Sequence, residues 1–360
     1  MGIFRTILAI AVVVYHSYKI FGLRLCGGQV AVESFYIISG FYMALILNEK
    51  YVGAGYYKRF LWSRFYRIFP TYWIVLLLAL LLSLIGYWAF NKPYYLARYV
   101  QYGTCLSPYA IAYFLLENVL VIGQDWFYFL RIDELCQLQF TKQVLSYKHT
   151  AFQYLFMPQS WSISIECMFY IIAPFLVKLR LRKQILIVLL GILIKWYFNQ
   201  IHYLCYDPWT YRFFPFELPF FLAGSVSYQF YKRNWLLNSS KYMGYILLMI
   251  SVLGILFIEE IPIMDSVKYS IFFIIISLSI PYIFSAFKDS KIDRTIGELS
   301  FTIYISHHLV VSILRAYFFE HTQWMPYYGY ATLLTSLALA FFLQFVLVRK
   351  IEAFRQKRFS

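Results

Sequence analysis

Ten stretches of this chain are apolar over lengths suited to a bilayer, and that pattern leaves few folds open to it. They cover residues 3–21, 28–47, 68–90, 161–177, 184–198, 213–230, 243–258, 267–287, 299–319 and 328–348. Within hydrocarbon every backbone N–H and C=O must be satisfied internally, so continuous segments of this length read as helices. Composition agrees: 61% of the 360 residues are hydrophobic and only 14% are charged, more apolar surface than a soluble chain of this size hides. The expected fold is all-α, a polytopic membrane helix bundle of about ten transmembrane helices forming a single domain over 1–360. The first run carries a basic residue near its start but no small-residue cleavage site, so it reads as a retained helix.

An eleventh candidate, 109–123, has only 15 residues and is interrupted by Glu117 and Asn118. Lys and Arg arbitrate. If it does not cross and the N-terminus is cytoplasmic, basic clusters at 48–67, 178–183, 232–241, 288–294 and 349–358 all face inward. Together they hold twenty of the 32 Lys and Arg residues. The acidic group Glu259, Glu260 and Asp265 then faces outward, and both termini are cytoplasmic. One long outer segment follows, roughly 91–160, with a part-buried or re-entrant stretch near 109–123. The net charge of +15 is accounted for by these inner loops, so it does not call for nucleic acid. Five scattered cysteines, odd in number and without CxxC spacing, predict neither a disulfide framework nor a metal site.

Ionisable groups inside the runs are costly to keep, which singles them out. Arg5 and His16 stand eleven residues apart in the first run, about 16 Å of helix, so His16 is expected past mid-depth with Arg5 at the inner headgroups. Glu33 falls about a turn and a half below the outer end of the second run. Glu166 lies within two turns of the outer surface on the fourth, sharing a helix face with Ser162. Either carboxylate is suited to fix the tautomer of His16 as a general base acting on a hydroxyl. Interhelical hydrogen bonding for packing is an equally open role for each. At the inner face Arg64 and Arg67 are three apart and project the same way, matching phosphate oxygens of a nucleotide or coenzyme A. Composition alone favours a topogenic cluster against anionic lipid. His307 and His308 lie mid-run, about 100° apart on a helix, so at most one is expected to face a common cavity. His149, His202 and His321 fall in outer loops. Aromatics make up 22% of the chain, mostly as interfacial belts, and Trp161 is among those placed to stack on a sugar ring.

Taken together, these residues resemble the acyltransferase-3 family of bacterial membrane O-acyltransferases. Four stretches carry the likeness: Arg5 followed by ten residues and His16; Gly27 to Phe41, ending in Ser39-Gly40-Phe41; Arg64-Phe65-Tyr66-Arg67 leading into Pro70-Thr71-Tyr72-Trp73; and Ser160-Trp161-Ser162 through Glu166 to Phe169-Tyr170. Ser300 to His307 adds a late Ser-x-x-x-Tyr-x-x-His element. The matches keep family order across 5–308. The resemblance implies transfer of an acyl group, commonly acetyl, from cytosolic acyl-CoA to a carbohydrate hydroxyl. It makes His16 the catalytic histidine, Arg5 its motif partner, Glu166 a functional carboxylate, and Arg64 and Arg67 contacts for the coenzyme A phosphates. Glu33, Trp161 and His307 are then expected against the acceptor. Two departures stand out: Gly2, Ile3 and Phe4 occupy the place where an Asp often precedes the Arg, and no extracellular esterase-like domain follows the tenth run.

The sequence reading is therefore a plasma-membrane O-acyltransferase that uses acyl-CoA and no metal. Its acceptor would be a bacterial surface polysaccharide or a lipid-linked precursor, with membrane lipids as its surroundings. A polysaccharide polymerase or flippase, or a proton-coupled transporter, is the alternative.

Overall fold

The computed structural model describes residues 1–201, 203–233 and 241–359. His202, expected in an outer loop, lies outside them. Among the described residues seven helical stretches are long and apolar enough to cross a membrane: Gly27–Glu49, Tyr56–Phe90, Leu181–Ile201, Lys241–Glu260, Asp265–Phe287, Lys291–Glu320 and Thr322–Arg358. The protein is thus mostly helical and polytopic, with fewer qualifying spans than the ten expected.

Three expected spans fall short for identifiable reasons. Helix α1 (Gly2–His16) has 15 residues, about 22 Å, because the chain leaves the helix at Ser17, whose Oγ turns back 2.8 Å to the Val13 carbonyl. Helix α6 (Trp161–Leu176) has 16 residues, ending just before the basic cluster that starts at Lys178. Helix α8 (Phe214–Lys232) is diluted by Glu217, Ser225, Ser227 and Gln229. Elements enclosed by protein are freed from the demand for a continuous lipid-facing apolar surface, and α1 is such a helix, with Phe4, Leu8, Ala9, Ala11 and Val13 fully buried.

Two units are distinguished by their internal packing. The first comprises Met1–Arg67, Ala173–Val188 and Pro219–Ser360. In it α1 packs against α2 (Gly27–Glu49), α11 (Lys291–Glu320) and α12 (Tyr328–Leu343), and Ala9, Val13, Ile303 and Ala340 form a shared core. Glycines set the closest approaches. A Cβ on Gly2 would lie 1.7 Å from the Asp293 carbonyl oxygen, and one on Gly297 would lie 2.5 Å from Gly2 Cα. Gly40 on α2 and Gly224 on α8 do the same, their added Cβ atoms meeting the Phe221 and Ile37 carbonyl oxygens at 1.8 Å each. Small residues of this kind let helix backbones touch where lipid gives no hydrophobic drive for association. Asp293 completes the joint: its carboxylate accepts from the Gly2 and Ile3 amides at 2.7 and 3.0 Å, satisfying N–H groups that the start of α1 leaves without helical partners. Helix α12 continues through a π-helical turn (Gln344–Val348) into α13 (Arg349–Phe359).

The second unit comprises Ile68–Ile172 and Leu189–Leu218. The stretch 109–123 forms α5 (Pro108–Leu120), 13 residues started by Ser107 as N-cap and Pro108, and it is not among the seven long apolar stretches. Asn118, which interrupts the apolar pattern, anchors it: Nδ2 donates to the Phe114 and Tyr154 carbonyls at 2.8 and 3.0 Å, and Oδ1 accepts from the Phe156 amide at 2.8 Å. A two-stranded antiparallel hairpin pairs β1 (Leu130–Ile132) with β2 (Leu138–Phe140). Cys105 and Cys136 form a disulfide across this segment, against the expectation of none. The odd cysteine count concealed it, because Cys26, Cys167 and Cys205 remain as thiols.

Candidate functional site

At the end of α1 three imidazoles gather. His16 is the last residue of the helix, and its side chain is exposed rather than enclosed by protein as the sequence reading expected. Its ring centroid lies 5.3 Å from that of His307 and 5.9 Å from that of His308, both on α11. Both neighbours approach it, although only one was expected to; a side chain at a helix end straddles positions that a mid-helix residue would separate. His307 is fully buried, and its Nδ1 stands 2.6 Å from the Tyr304 carbonyl oxygen. A carbonyl only accepts, so Nδ1 carries the proton and Nε2 of the neutral ring presents a lone pair, with no hydrogen-bond partner. Such an orphaned buried group costs stability and calls for a reason. Among the described residues, no three His, Cys, Asp or Glu side chains form a group able to hold a metal ion.

Arg5 occupies the opposite end of α1, about 16 Å of helix away from His16. It lies within electrostatic reach of the Tyr42 hydroxyl, as do Arg67, Arg294 and Asp293. Arg64 and Arg67 sit on α3 (Tyr56–Phe90), one turn apart as their spacing predicts. Arg64 Nη2 is 3.5 Å from Ser63 Oγ, and its guanidinium lies over the Phe60 ring. Arg67 Nη1 meets Glu352 Oε2 at 3.3 Å. Glu33 is buried on α2 and takes a hydrogen bond from Gln29 at 3.2 Å.

The remaining candidates belong to the second unit. Glu166 Oε1 accepts from the Tyr170 hydroxyl at 2.6 Å, and Ser162 Oγ bonds the Gln159 carbonyl at 3.1 Å. Trp161, expected to stack on substrate, is buried and has the Arg212 guanidinium 4.3 Å from its ring. Tyr128 and Tyr211 lie 4.0 and 4.6 Å from the same cation, which Asp207 grips with both oxygens at 2.6 and 3.1 Å. Nothing in the local sequence marked this cage, since Arg212 and Asp207 lie in a connecting segment far from the motifs.

A second buried acid also escaped sequence reading. Asp125 accepts from Ser164 Oγ at 2.7 Å, and that oxygen in turn accepts from the Gly123 amide at 2.8 Å. Burial pushes the Asp125 carboxyl up from 3.8 to about 6, against the opposing pull of the Ser164 bond. A raised native value favours the protonated form, so this group stabilises the fold fully below about pH 4 and ceases to as pH rises through about 6. Thermal melts of the purified protein across pH 4 to 7 are expected to show that decline, and Asp125→Asn to lessen it. Parallel curves for the two proteins would refute the assignment.

These features define a polytopic helical membrane protein with an imidazole cluster and a guanidinium cluster at opposite ends of one buried helix. The chain belongs to the acyltransferase-3 family of integral-membrane acyltransferases: residues 1–345 match the family model, described as an acyltransferase domain. No curated protein and no solved structure matches it.

Proposed function

We propose that the protein is an O-acyltransferase of the bacterial plasma membrane. It would move an acyl group, acetyl in the simplest case, from cytosolic acyl-CoA to a hydroxyl of a surface polysaccharide or its lipid-linked precursor. The observation that carries this reading is the polarity of α1 and its neighbours, with guanidinium groups suited to donor phosphates at one end and histidines suited to proton transfer at the other. Arg64 and Arg67 hold the anionic head of the donor at the basic face, with Arg5 nearby, and the slender pantetheine arm follows α1 toward His16. There His16 removes the proton of the acceptor hydroxyl as its oxygen attacks the thioester carbon. The carbon–sulfur bond breaks, and the proton ends on the departing thiol. The bare Nε2 of the neutral His307 ring, beside His16, is placed to accept a hydrogen bond from the acceptor hydroxyl and so orient it. Glu33, in the same unit as His16, remains a candidate for orienting the acceptor. The Cys105–Cys136 disulfide supports placing 91–160 on the outer side, where oxidising conditions preserve such bonds.

Arg64→Ala with Arg67→Ala is expected to raise the donor KM by at least about tenfold, since each charged hydrogen bond contributes roughly 1.5–3 kcal/mol. An unchanged donor KM would remove these residues from the site. Measured coenzyme A binding also separates this reading from a polymerase or a flippase, which need no such donor.

A further inference from the structure

The arginine pair does not act alone at the basic face. Helix α13 carries five basic residues and a single acidic one, Glu352. That lone carboxylate is surrounded by donors. Arg67 Nη1 reaches Oε2 at 3.3 Å, Arg355 Nε reaches Oε2 at 2.9 Å, Arg355 Nη2 closes on Oε1, and Gln356 Nε2 donates to Oε1 at 3.0 Å. The remaining Arg355 nitrogen, Nη1, donates to Ser63 Oγ at 2.7 Å, the same oxygen that Arg64 approaches. The cluster is well enclosed, with Glu352 and Arg355 side chains each 12% exposed and Ser63 fully buried. Guanidinium forks bind carboxylate and phosphate with the same planar geometry, so a pocket that grips one accommodates the other. Arg67 is the longest leg of the arrangement, and a π-helical turn precedes α13, the sort of irregularity at which a helix changes register. Glu352 and Arg355 lie beyond residue 345, where the family match ends.

We propose that Ser63, Arg67 and Arg355 form a phosphate-binding cradle in which the Glu352 carboxylate is an internal stand-in, displaced when a phosphate group of the donor arrives. The proposal rests on the donor-site reading given above. Arg355 is then a third guanidinium of the donor site, and α13 swings or slides to release Arg67 as the donor binds. Glu352 competes with the donor and weakens its apparent affinity, because only the fraction of molecules with the cradle open binds.

Coenzyme A binding to the purified full chain, measured by titration calorimetry in detergent, tests this. Glu352→Gln keeps the shape and removes the charge, and it is expected to bind coenzyme A at least fivefold more tightly than the parent. Glu352→Asp, with a carboxylate one methylene shorter, is expected to shift affinity the same way and serves if the first variant does not fold. Arg355→Ala is expected to bind at least tenfold more weakly, with Arg355→Lys recovering only part of the loss. Unchanged or weaker binding in both Glu352 variants would overturn the proposal, making the carboxylate a strut. If Arg67→Ala loses coenzyme A while the Glu352 variants do not tighten it, this proposal alone fails. If Arg67→Ala binds like the parent, the donor-site reading fails with it.

Discussion

Replacing His16 with Ala is expected to lower acyl transfer by about 100- to 10,000-fold, the range that general-base catalysis supplies. Coenzyme A binding should be preserved, because Arg64 and Arg67 lie at the other end of α1. Because His16 is exposed at a helix end, no cavity opens in the core and the variant should retain most of its thermal stability. His307→Ala should lower the turnover number with little effect on the donor KM, as expected of a group that orients the acceptor hydroxyl and not the donor. His307→Phe provides the sharper comparison: its ring fills the space but presents no acceptor in the place of Nε2. A His307→Phe enzyme with parental turnover would exclude the ring from that role, and a fully active His16→Ala enzyme would end the catalytic assignment.

Substitution of Gly224 or Gly40 is expected to destabilise the first unit strongly. The atoms that an added methyl would meet are the Ile37 and Phe221 carbonyl oxygens, each at 1.8 Å. These are backbone atoms, which do not yield by changing rotamer, so α2 and α8 would have to move apart. Overpacking at yielding sites already costs roughly 1–3 kcal/mol, and this site is stiffer. Gly224→Ala and Gly40→Ala should each lower the melting temperature in detergent and reduce recovery of monodisperse protein. A melt unchanged from the parent would mean that the helices are held less closely than described.

The same contact explains part of what was legible beforehand. Ser39-Gly40-Phe41 stood out as a family-like motif, and its glycine is where two helix backbones touch. The apolar runs likewise marked the long helices, and the three-residue spacing of Arg64 and Arg67 placed both on one turn. What the sequence concealed was long-range. The end of α1 at His16 depends on Ser17 turning back to Val13, within a run that reads as continuous up to Phe21. Glu352 and Arg355 read as members of a charged tail, because nothing local reveals a partner some 285 residues away. Asp125 sat in a segment with no pattern, and its burial comes from tertiary enclosure. Each miss concerns a residue whose role is set by what it meets rather than by its neighbours in the chain.

The exposed position of His16 has a bearing on the size of molecule such a catalyst can serve. A long hydrated glycan cannot be threaded among packed helices without stripping water from dozens of hydroxyls. With the reactive nitrogen at a helix tip, only one sugar unit has to be presented while the rest of the polymer stays solvated. If the acceptor is the proposed polysaccharide, such a placement would let the protein modify chains of any length, one residue at a time, without measuring them.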